Sequence, residues 1–371
     1  MTDFIPVNTP LLEGNEKKYL CECIDTGWIS SEGPFVSRFE SELATYTSRR
    51  HAITVTNGTV ALDIAIEALG LNAGDEIIVP SFTIISCINA ILKLGLVPRF
   101  VDCDLDTFNF DVHGIREALS ISTKAIMVVH IFGLSVDMDP ILQLAKENNL
   151  YVIEDAAEVI GQTYKGRMCG SFGDVSTMSF YPNKHITTGE GGAILTNDDV
   201  IATKMKSLKN LCFQSEKRFV HESLGTNARM TNIQAALGVA QLEQIDRFLE
   251  IKRALGLYYL EKLQNIPDLQ LPTRATKYCN NIFWVFPLVL SSIELKVGLQ
   301  DFLNASGVGT RPFFYPLNLQ PLLPDFGFEI VDNCPNAKFL YDHGFYIPSG
   351  LGLSFSDQER VSSLIVEFFK K

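Results

Sequence analysis

The chain has 371 residues, which at roughly 100–200 residues per domain predicts two domains. Its 31 Lys and Arg residues against 43 Asp and Glu residues give a net charge of −12, which argues against a nonspecific binder of nucleic acid or of an anionic membrane. A composition of 46% hydrophobic and 20% charged residues is that of a packed globular protein rather than a disordered one.

The cysteines and the N-terminal residues show no pattern of a metal site or of export. Eight cysteines are scattered, and the closest pair, Cys21 and Cys23, lacks the spacing of a zinc knuckle or a CxxC redox motif. Residues 1–6 include Asp3 and no basic region followed by an apolar run, unlike a signal peptide. The uncharged stretch at residues 77–92 is shorter than the roughly 18 residues of a membrane span. We therefore expect a cytoplasmic protein with free thiols, no metal and no membrane segment.

From residue 50 to about 200, short apolar runs alternate with helical stretches. The pattern predicts strands at residues 52–56, 76–80, 97–101, 124–131 and 150–154, and helices at residues 60–69 and 140–148. Runs that are apolar on both faces and separated by helices are typical of a parallel sheet covered on both sides. We therefore expect a doubly wound α/β domain whose ligands bind outside the carboxyl ends of the strands.

The rest of the chain predicts a second, smaller unit. Apolar residues spaced along 235–251 indicate one long helix leading out of the large domain. After Pro267 the pattern predicts a strand at 283–290, a helix at 295–305 and a final helix after Ser356. We expect a large domain at residues 1–245 and a small C-terminal α+β domain at residues 246–371.

Three loops at predicted strand ends contain residues suited to chemistry. Asn57-Gly58-Thr59 precedes a helix, whose N-terminal N–H groups favour an anion, although an ordinary helix cap has the same pattern. Asp155 ends a strand, where it is either a ligand or a helix cap. Lys184 follows 29 positions later in a loop rich in Gly and Thr. A phosphate cradle, a carboxylate for a pyridine nitrogen and a Schiff-base lysine together are what pyridoxal phosphate requires.

Further segments agree with these loops in order and spacing. They are Gly27-Trp28-Ile29-Ser30-Ser31, residues 74–80, Ile153-Glu154-Asp155-Ala156-Ala157-Glu158, Ser179-Phe180, residues 187–192, Arg229-Met230-Thr231-Asn232 and Thr310-Arg311-Pro312. With them, the chain resembles the DegT/DnrJ/EryC1/StrS family of sugar aminotransferases over nearly its whole length. The resemblance implies a fold-type I enzyme with a mainly parallel seven-stranded sheet, which uses pyridoxal 5'-phosphate and forms a homodimer with active sites at the interface.

The resemblance also assigns roles by position. Lys184 becomes the Schiff-base lysine that later moves a proton, and Asp155 pairs with the pyridine nitrogen. Glu158 lies near the ring hydroxyl of the cofactor. The remaining cofactor positions are the phosphate-holding residues Gly58, Thr59 and Ser179, the ring-covering Ile84, and Asn227 and Arg229 from the neighbouring subunit. Ile84 stands where many relatives have an aromatic residue, so it offers apolar contact without stacking.

The candidate substrate contacts are Trp28, Ser30, His185 and Arg311. Trp28 suits either a nucleotide-sugar groove or an apolar staple, and Arg311 suits either a diphosphate or an ion pair. For His185 a local loop contact is the favoured interpretation, and His130 at a strand end is typical of a satisfied core histidine.

The expected reaction transfers the amino group of L-glutamate to a nucleotide-linked 4-keto-6-deoxyhexose. The resemblance favours GDP-4-keto-6-deoxymannose, with GDP-perosamine as the product, for O-antigen or surface-glycan synthesis. Segment 225–229 lacks two tyrosines that perosamine-forming members usually have, so a dTDP- or UDP-linked sugar aminated at C3 or C4 stays open. A dehydratase is disfavoured because the lysine is retained, and a noncatalytic regulator because Lys184 and Asp155 are both present. An NAD-dependent enzyme lacks its required glycine fingerprint after the first strand of the sheet.

Overall fold

The computed structural model describes residues 4–214 and 216–370. Its first nine strands are β1 (His51–Val55), β2 (Glu76–Pro80), β3 (Val97–Val101), β4 (Thr123–Val129), β5 (Tyr151–Asp155), β6 (Thr163–Tyr164), β7 (Arg167–Met168), β8 (Val175–Ser179) and β9 (Gly192–Thr196). Strands β6 and β7 form a short hairpin, and the other seven form one sheet in the order β1-β9-β8-β5-β4-β2-β3. β9 runs antiparallel to β1 and β8, its two neighbours, and all other neighbouring pairs of this sheet are parallel. The predicted mainly parallel seven-stranded sheet is therefore confirmed.

Helices cover both faces of this sheet. Alternate strand residues enter different apolar cores: Ile77 and Val79 pack into one, whereas Ile78 packs into the other. The helices are α1 (Glu16–Thr26), α2 (Pro34–Tyr46), α3 (Gly58–Leu69), α4 (Ser86–Lys93), α5 (Val112–Ala118), α6 (Met138–Asn148), α7 (Asp199–Leu208), α8 (Asn232–Leu242), α9 (Ile245–Leu263), α10 (Ile293–Ala305), α11 (Pro335–His343) and α12 (Phe355–Phe368). Because both strand faces are buried, the strands have the nearly unbroken apolar runs seen in the sequence.

The prediction of a single long helix after Met230 is wrong, because the segment forms the two helices α8 and α9. Helix α8 begins at a capping box in which Thr231 and Gln234 bond each other's backbone. Gln244, between the helices, has φ −107° and ψ 3°, outside helical geometry. The predicted strand at 283–290 is also shorter, because Phe283 has φ 51° and pairing begins only at Phe286.

A second, antiparallel sheet lies in the C-terminal part of the chain. Its strands are β10 (Leu269–Gln270), β11 (Phe286–Leu290), β12 (Arg311–Pro312) and β13 (Gly344–Ile347), in the order β10-β11-β13-β12. A third apolar core, which includes Leu255, Phe345 and Val361, also takes in Ile5 from the N-terminal segment. The domain division at residue 245 remains a prediction that coincides with the start of α9. Within the described residues, no helix is long and apolar enough to cross a membrane.

Candidate active site

The loop between β1 and α3 forms a narrow cradle. Asn57 caps α3 by accepting a hydrogen bond from the Val60 N–H at 2.9 Å, and Gly58 is the first helical residue. A Cβ on Gly58 would lie 2.9 Å from Cβ of Ser179, and one on Gly192 would lie 2.6 Å from the carbonyl carbon of Asn57. Both positions therefore require glycine, and the close approach brings the Ser179 hydroxyl beside the N-terminus of α3.

A second hydroxyl pair borders this cradle. Thr59 Oγ1 lies 2.7 Å from Oγ of Ser86, the first residue of α4. The predicted phosphate residues Gly58, Thr59 and Ser179 are thus joined by Ser86, which the sequence did not indicate. Helix N–H groups together with hydroxyl donors suit a phosphate.

Asp155, the last residue of β5, is almost fully buried at the carboxyl edge of the sheet. Its Oδ1 accepts hydrogen bonds from the Ala157 N–H at 3.0 Å and the Thr177 hydroxyl at 3.4 Å. Its Oδ2 has the Cys87 thiol at 3.6 Å. Burial raises the pKa of Asp155, and the Ala157 N–H and the charge of Lys184 oppose the rise. Among the described residues, a weak thiol donor is the sole hydrogen-bond partner of Oδ2, which can therefore still accept a hydrogen bond from a strong donor.

Buried Glu158 and half-buried Lys184 lie close to Asp155. Glu158 Oε2 accepts the Phe132 N–H at 2.8 Å, and burial raises the pKa of Glu158 to about 7, against the opposing charge of Lys184. Burial lowers the pKa of Lys184, and the carboxylates of Glu158 and Asp155 oppose that change. A lysine whose pKa falls has a larger neutral, nucleophilic fraction near neutral pH.

Trp284 is a site residue that the sequence analysis missed. Its ring centroid lies 3.8 Å from Lys184 Nζ, and its Nε1–H donates to the Asn183 carbonyl at 2.8 Å. The indole is 4% exposed and lies 6.1 Å, centroid to centroid, from the ring of Phe132. The lysine therefore has carboxylates among its neighbours and an aromatic face beneath its amine.

His185 faces the interior instead of an open groove. It is 2% exposed, and it lines a cavity of about 10 Å³ together with Asn183, Lys252 and Trp284. Its Nε2 has no hydrogen-bond partner among the described residues, and burial lowers the pKa of the ring to about 3. This placement agrees with the local loop contact that the sequence favoured. A role in substrate binding remains a prediction.

His130 is the satisfied core histidine that the sequence predicted. Its Nε2 lies 3.1 Å from Glu154 Oε1, and its Nδ1 accepts the Val136 N–H at 3.0 Å. With Cys169 these groups form a buried cluster of metal-ligand type. The Glu154 carboxylate is already occupied by protein donors, so the cluster has a sufficient explanation as a structural network.

The other predicted substrate and cofactor residues lie at the surface of the chain. Trp28 is 49% and Ile84 42% exposed, and Ser30 is exposed as well. Asn232 fixes the backbone around Trp28 and Ser30. Its side-chain amide donates to the Trp28 carbonyl at 2.7 Å, and its backbone N–H donates to the Ser30 carbonyl at 2.7 Å. The backbone of Trp28 and Ser30 is thus held in position, while their side chains and that of Ile84 are exposed.

Asn227 and Arg229 occupy a segment beside the cradle. Arg229 forms a bridge with Val55 of β1, and its Nη1 donates to Asn210 Oδ1 at 2.6 Å. The Asn227 side chain is exposed. Their assignment to a neighbouring subunit's site remains a prediction.

Arg311 lies on β12 and lines an open cavity of about 430 Å³. Tyr181 and Asn183, which precede Lys184 in the chain, line the same cavity. A guanidinium in a cavity of this size suits a phosphate or a sugar hydroxyl.

Comparison with known proteins finds solved structures with the same fold over nearly the whole chain. DesV of S. venezuelae, solved in complex with a ketimine intermediate, is 29% identical, has a TM-score of 0.92 and matches 100% of both chains. The E. coli GDP-4-keto-6-deoxy-D-mannose-3-dehydratase with bound hydrated PLP is 25% identical, with a TM-score of 0.90, over 98% of this chain and 99% of the other.

The model of the DegT/DnrJ/EryC1/StrS aminotransferase family matches residues 10–366. A GDP-perosamine synthase of Vibrio cholerae is 40% identical over 98% of this chain and 99% of its own length. The chain therefore belongs to the DegT/DnrJ/EryC1/StrS aminotransferase family, whose members depend on pyridoxal phosphate. The family and the α/β fold class predicted from the sequence are confirmed.

Proposed function

We propose that this enzyme binds pyridoxal 5'-phosphate and transfers the amino group of L-glutamate to C4 of GDP-4-keto-6-deoxymannose, forming GDP-perosamine. The observation that carries the proposal is the meeting of Lys184, Asp155 and Glu158 beside a glycine-lined helix N-terminus. The 40% identity to a GDP-perosamine synthase over nearly the full length supports the choice of sugar and nucleotide.

The residues present fit the cofactor. The cradle at Gly58 and Gly192 has no room for a Cβ, and it offers N–H and hydroxyl donors to a phosphate. Asp155 Oδ2 is a buried acceptor for a protonated pyridine nitrogen, and Glu158 is positioned for the ring hydroxyl. When bound, the cofactor supplies an electron sink that stabilises negative charge on the substrate carbon.

The protein's own groups then divide the work. Lys184 Nζ takes and returns the proton at the substrate carbon, and its lowered pKa increases the neutral fraction that can accept a proton. Asp155 maintains the positive charge on the ring nitrogen, and its burial strengthens that interaction. Ile84 covers the cofactor ring by apolar contact. Arg311 binds the diphosphate or sugar within its cavity. Trp28 and Ser30, which lie outside that cavity, add substrate contacts from the exposed N-terminal segment.

A second copy of the chain completes the site in this proposal. The segment before Arg229 exposes large apolar side chains, with Phe219 81% and Leu224 90% exposed. Such exposure is costly in water, and a partner subunit removes the cost. Asn227 and Arg229 then reach the phosphate of the neighbouring copy.

Two experiments test the proposal. Glutamate alone should bleach the visible absorbance of the holoenzyme and release one 2-oxoglutarate per site, whereas Lys184→Ala should lack both the absorbance and turnover. Conversion of GDP-, dTDP- and UDP-linked 4-keto and 3-keto sugars should then be followed by product mass. A dTDP- or UDP-linked product would overturn the assignment of a GDP-linked substrate. Loss of water from the sugar without gain of nitrogen would overturn the assignment as an aminotransferase in favour of a dehydratase.

A further inference from the structure

Lys184 and Trp284 come from different parts of the fold. Lys184 follows β8 of the large sheet, whereas Trp284 lies two residues before β11 of the small one. Their contact therefore joins the two sheets at the proposed reactive amine. Its geometry, with Nζ 3.8 Å from the ring centroid, is that of a cation–π interaction.

Trp284 is held at three points, two on its indole and one on its backbone. Its Nε1–H donates to the Asn183 carbonyl at 2.8 Å, in the residue directly before Lys184. Its own carbonyl accepts a hydrogen bond from Lys252 Nζ at 3.0 Å. Its ring also lies against Phe132, whose N–H holds Glu158. A ring fixed in this way is a prepared surface for the amine, and the same contacts align it with the carboxylates.

We propose that Trp284 is a positioning residue whose indole face holds the Lys184 amine in its charged form, the form that the amine has after it has taken a proton. This proposal rests on the proposed function only for its catalytic consequence, because the contact itself exists in the cofactor-free chain. The ring attracts the ammonium form and gains almost nothing from the neutral amine. The interaction thus keeps the protonated lysine close to the reacting atoms until it returns its proton.

The strength of the cation–π contact sets how far the pKa of the Lys184 amine should change when the ring is removed. Other groups that face this amine are Glu158, Asp155 and Cys87, and all three favour its charged form, whereas burial opposes it. His185 and Lys252 line the adjoining cavity. Cation–π contacts are worth about 0.5–2 kcal/mol, so removing the ring should lower the pKa of the amine by about 0.4–1.5 pH units.

The first test needs no cofactor. The chain has two tryptophans, so Trp28→Phe leaves Trp284 as the sole indole. In cofactor-free protein its fluorescence should show a pH transition that disappears in Trp28→Phe/Lys184→Met. A transition that survives Lys184→Met and disappears in Trp28→Phe/Lys252→Met would assign the signal to Lys252 and overturn the proposal. Because no turnover is involved, a wrong substrate assignment cannot affect the result.

The second test uses the holoenzyme. Trp284→Phe keeps a weaker ring, and Trp284→Leu has none, so the acidic limb of the pH profile of kcat should move to lower pH in the order wild type, Phe, Leu. KM for glutamate should change much less than kcat. Equal loss of kcat at every pH in both variants, without movement of the profile, would show a merely structural tryptophan and contradict the proposal.

Discussion

Glu154 and Asp155 are adjacent on β5 and equally buried, yet their surroundings differ completely. Glu154 accepts hydrogen bonds from the N–H groups of Gly170 at 2.6 Å and Phe172 at 2.8 Å, and from the Ser176 hydroxyl at 2.8 Å. His130 and Arg49 lie beside it as well. On the other face of the strand, Asp155 Oδ2 has only the thiol of Cys87 as a described partner.

The two carboxyl groups accordingly shift in opposite directions. Burial alone would raise the pKa of Glu154, but the His130 ring, the Gly170 N–H and the charge of Arg49 hold it below its usual value. Burial does raise the pKa of Asp155. A buried charge that the protein satisfies fully is a structural element, whereas one left short of donors is prepared for a ligand.

The largest effect expected from this contrast is a loss of catalytic rate in the Asp155→Asn variant. The amide cannot stabilise a positive ring nitrogen, so kcat should fall at least about a hundredfold, the scale of losing one preorganised electrostatic contact. The visible spectrum and a glutamate half-reaction in stopped flow would measure the loss. Glu154→Gln is the matched control and should retain far more of its activity per folded molecule. Equal losses in the two variants would contradict the contrast.

The next largest effect is on stability, and it is expected for substitution of Glu154. Glu154→Gln leaves the Arg49 guanidinium, 2% exposed, without its counter-charge, which should lower the free energy of unfolding by about 3 kcal/mol. Asp155→Asn removes a carboxyl group that burial already disfavours, so it should leave stability almost unchanged. Urea unfolding of the cofactor-free proteins compares them. A more stable Glu154→Gln than Asp155→Asn variant would count against the structural role.

Glu158 extends the comparison to pH. Its pKa is raised to about 7 from 4.5, so between those values the folded state binds more protons than the unfolded state. The contribution of Glu158 therefore makes the free energy of unfolding fall as pH rises across this window. Glu158→Gln should flatten that slope in urea titrations of cofactor-free protein at pH 5, 6 and 7. An unchanged slope would show that Glu158 is charged throughout.

The local parts of this site are predictable from sequence, because each depends on a strand followed by its own loop. Asp155, Gly58 and Lys184 all come at the carboxyl edge of one sheet, and alternating apolar runs and helices predict that edge. Trp284 is not predictable in this way. It reaches Lys184 from 100 positions away, and a tryptophan among Phe283, Val285 and Phe286 has the pattern of an ordinary core residue.

Helix bounds show the same division between local and distant causes. The N-terminus of α8 has a local cap in Thr231 and Gln234, whereas the break at Gln244 has neither Pro nor Gly to mark it. The apolar spacing continues through the break, so the pattern predicts one helix. Tertiary packing, which places α8 against α1 and α2, sets the change of direction.

The smallest effects should separate the two buried histidines in the same way as the two carboxylates. His130→Leu leaves the Val136 N–H without its acceptor and takes one of several partners from Glu154, and should cost about 2–3 kcal/mol of unfolding free energy. His185→Leu removes an Nε2 that has no described partner, so stability at pH 7 should change by less than about 1 kcal/mol.

The pKa of His185 is lowered to about 3 from 6.5, so between these values the unfolded state binds more protons and stability falls as pH falls. His185→Leu should therefore lose less stability than wild type between pH 6.5 and pH 4. Identical acid sensitivity in urea unfolding would mean that His185 finds a proton-accepting partner in solution.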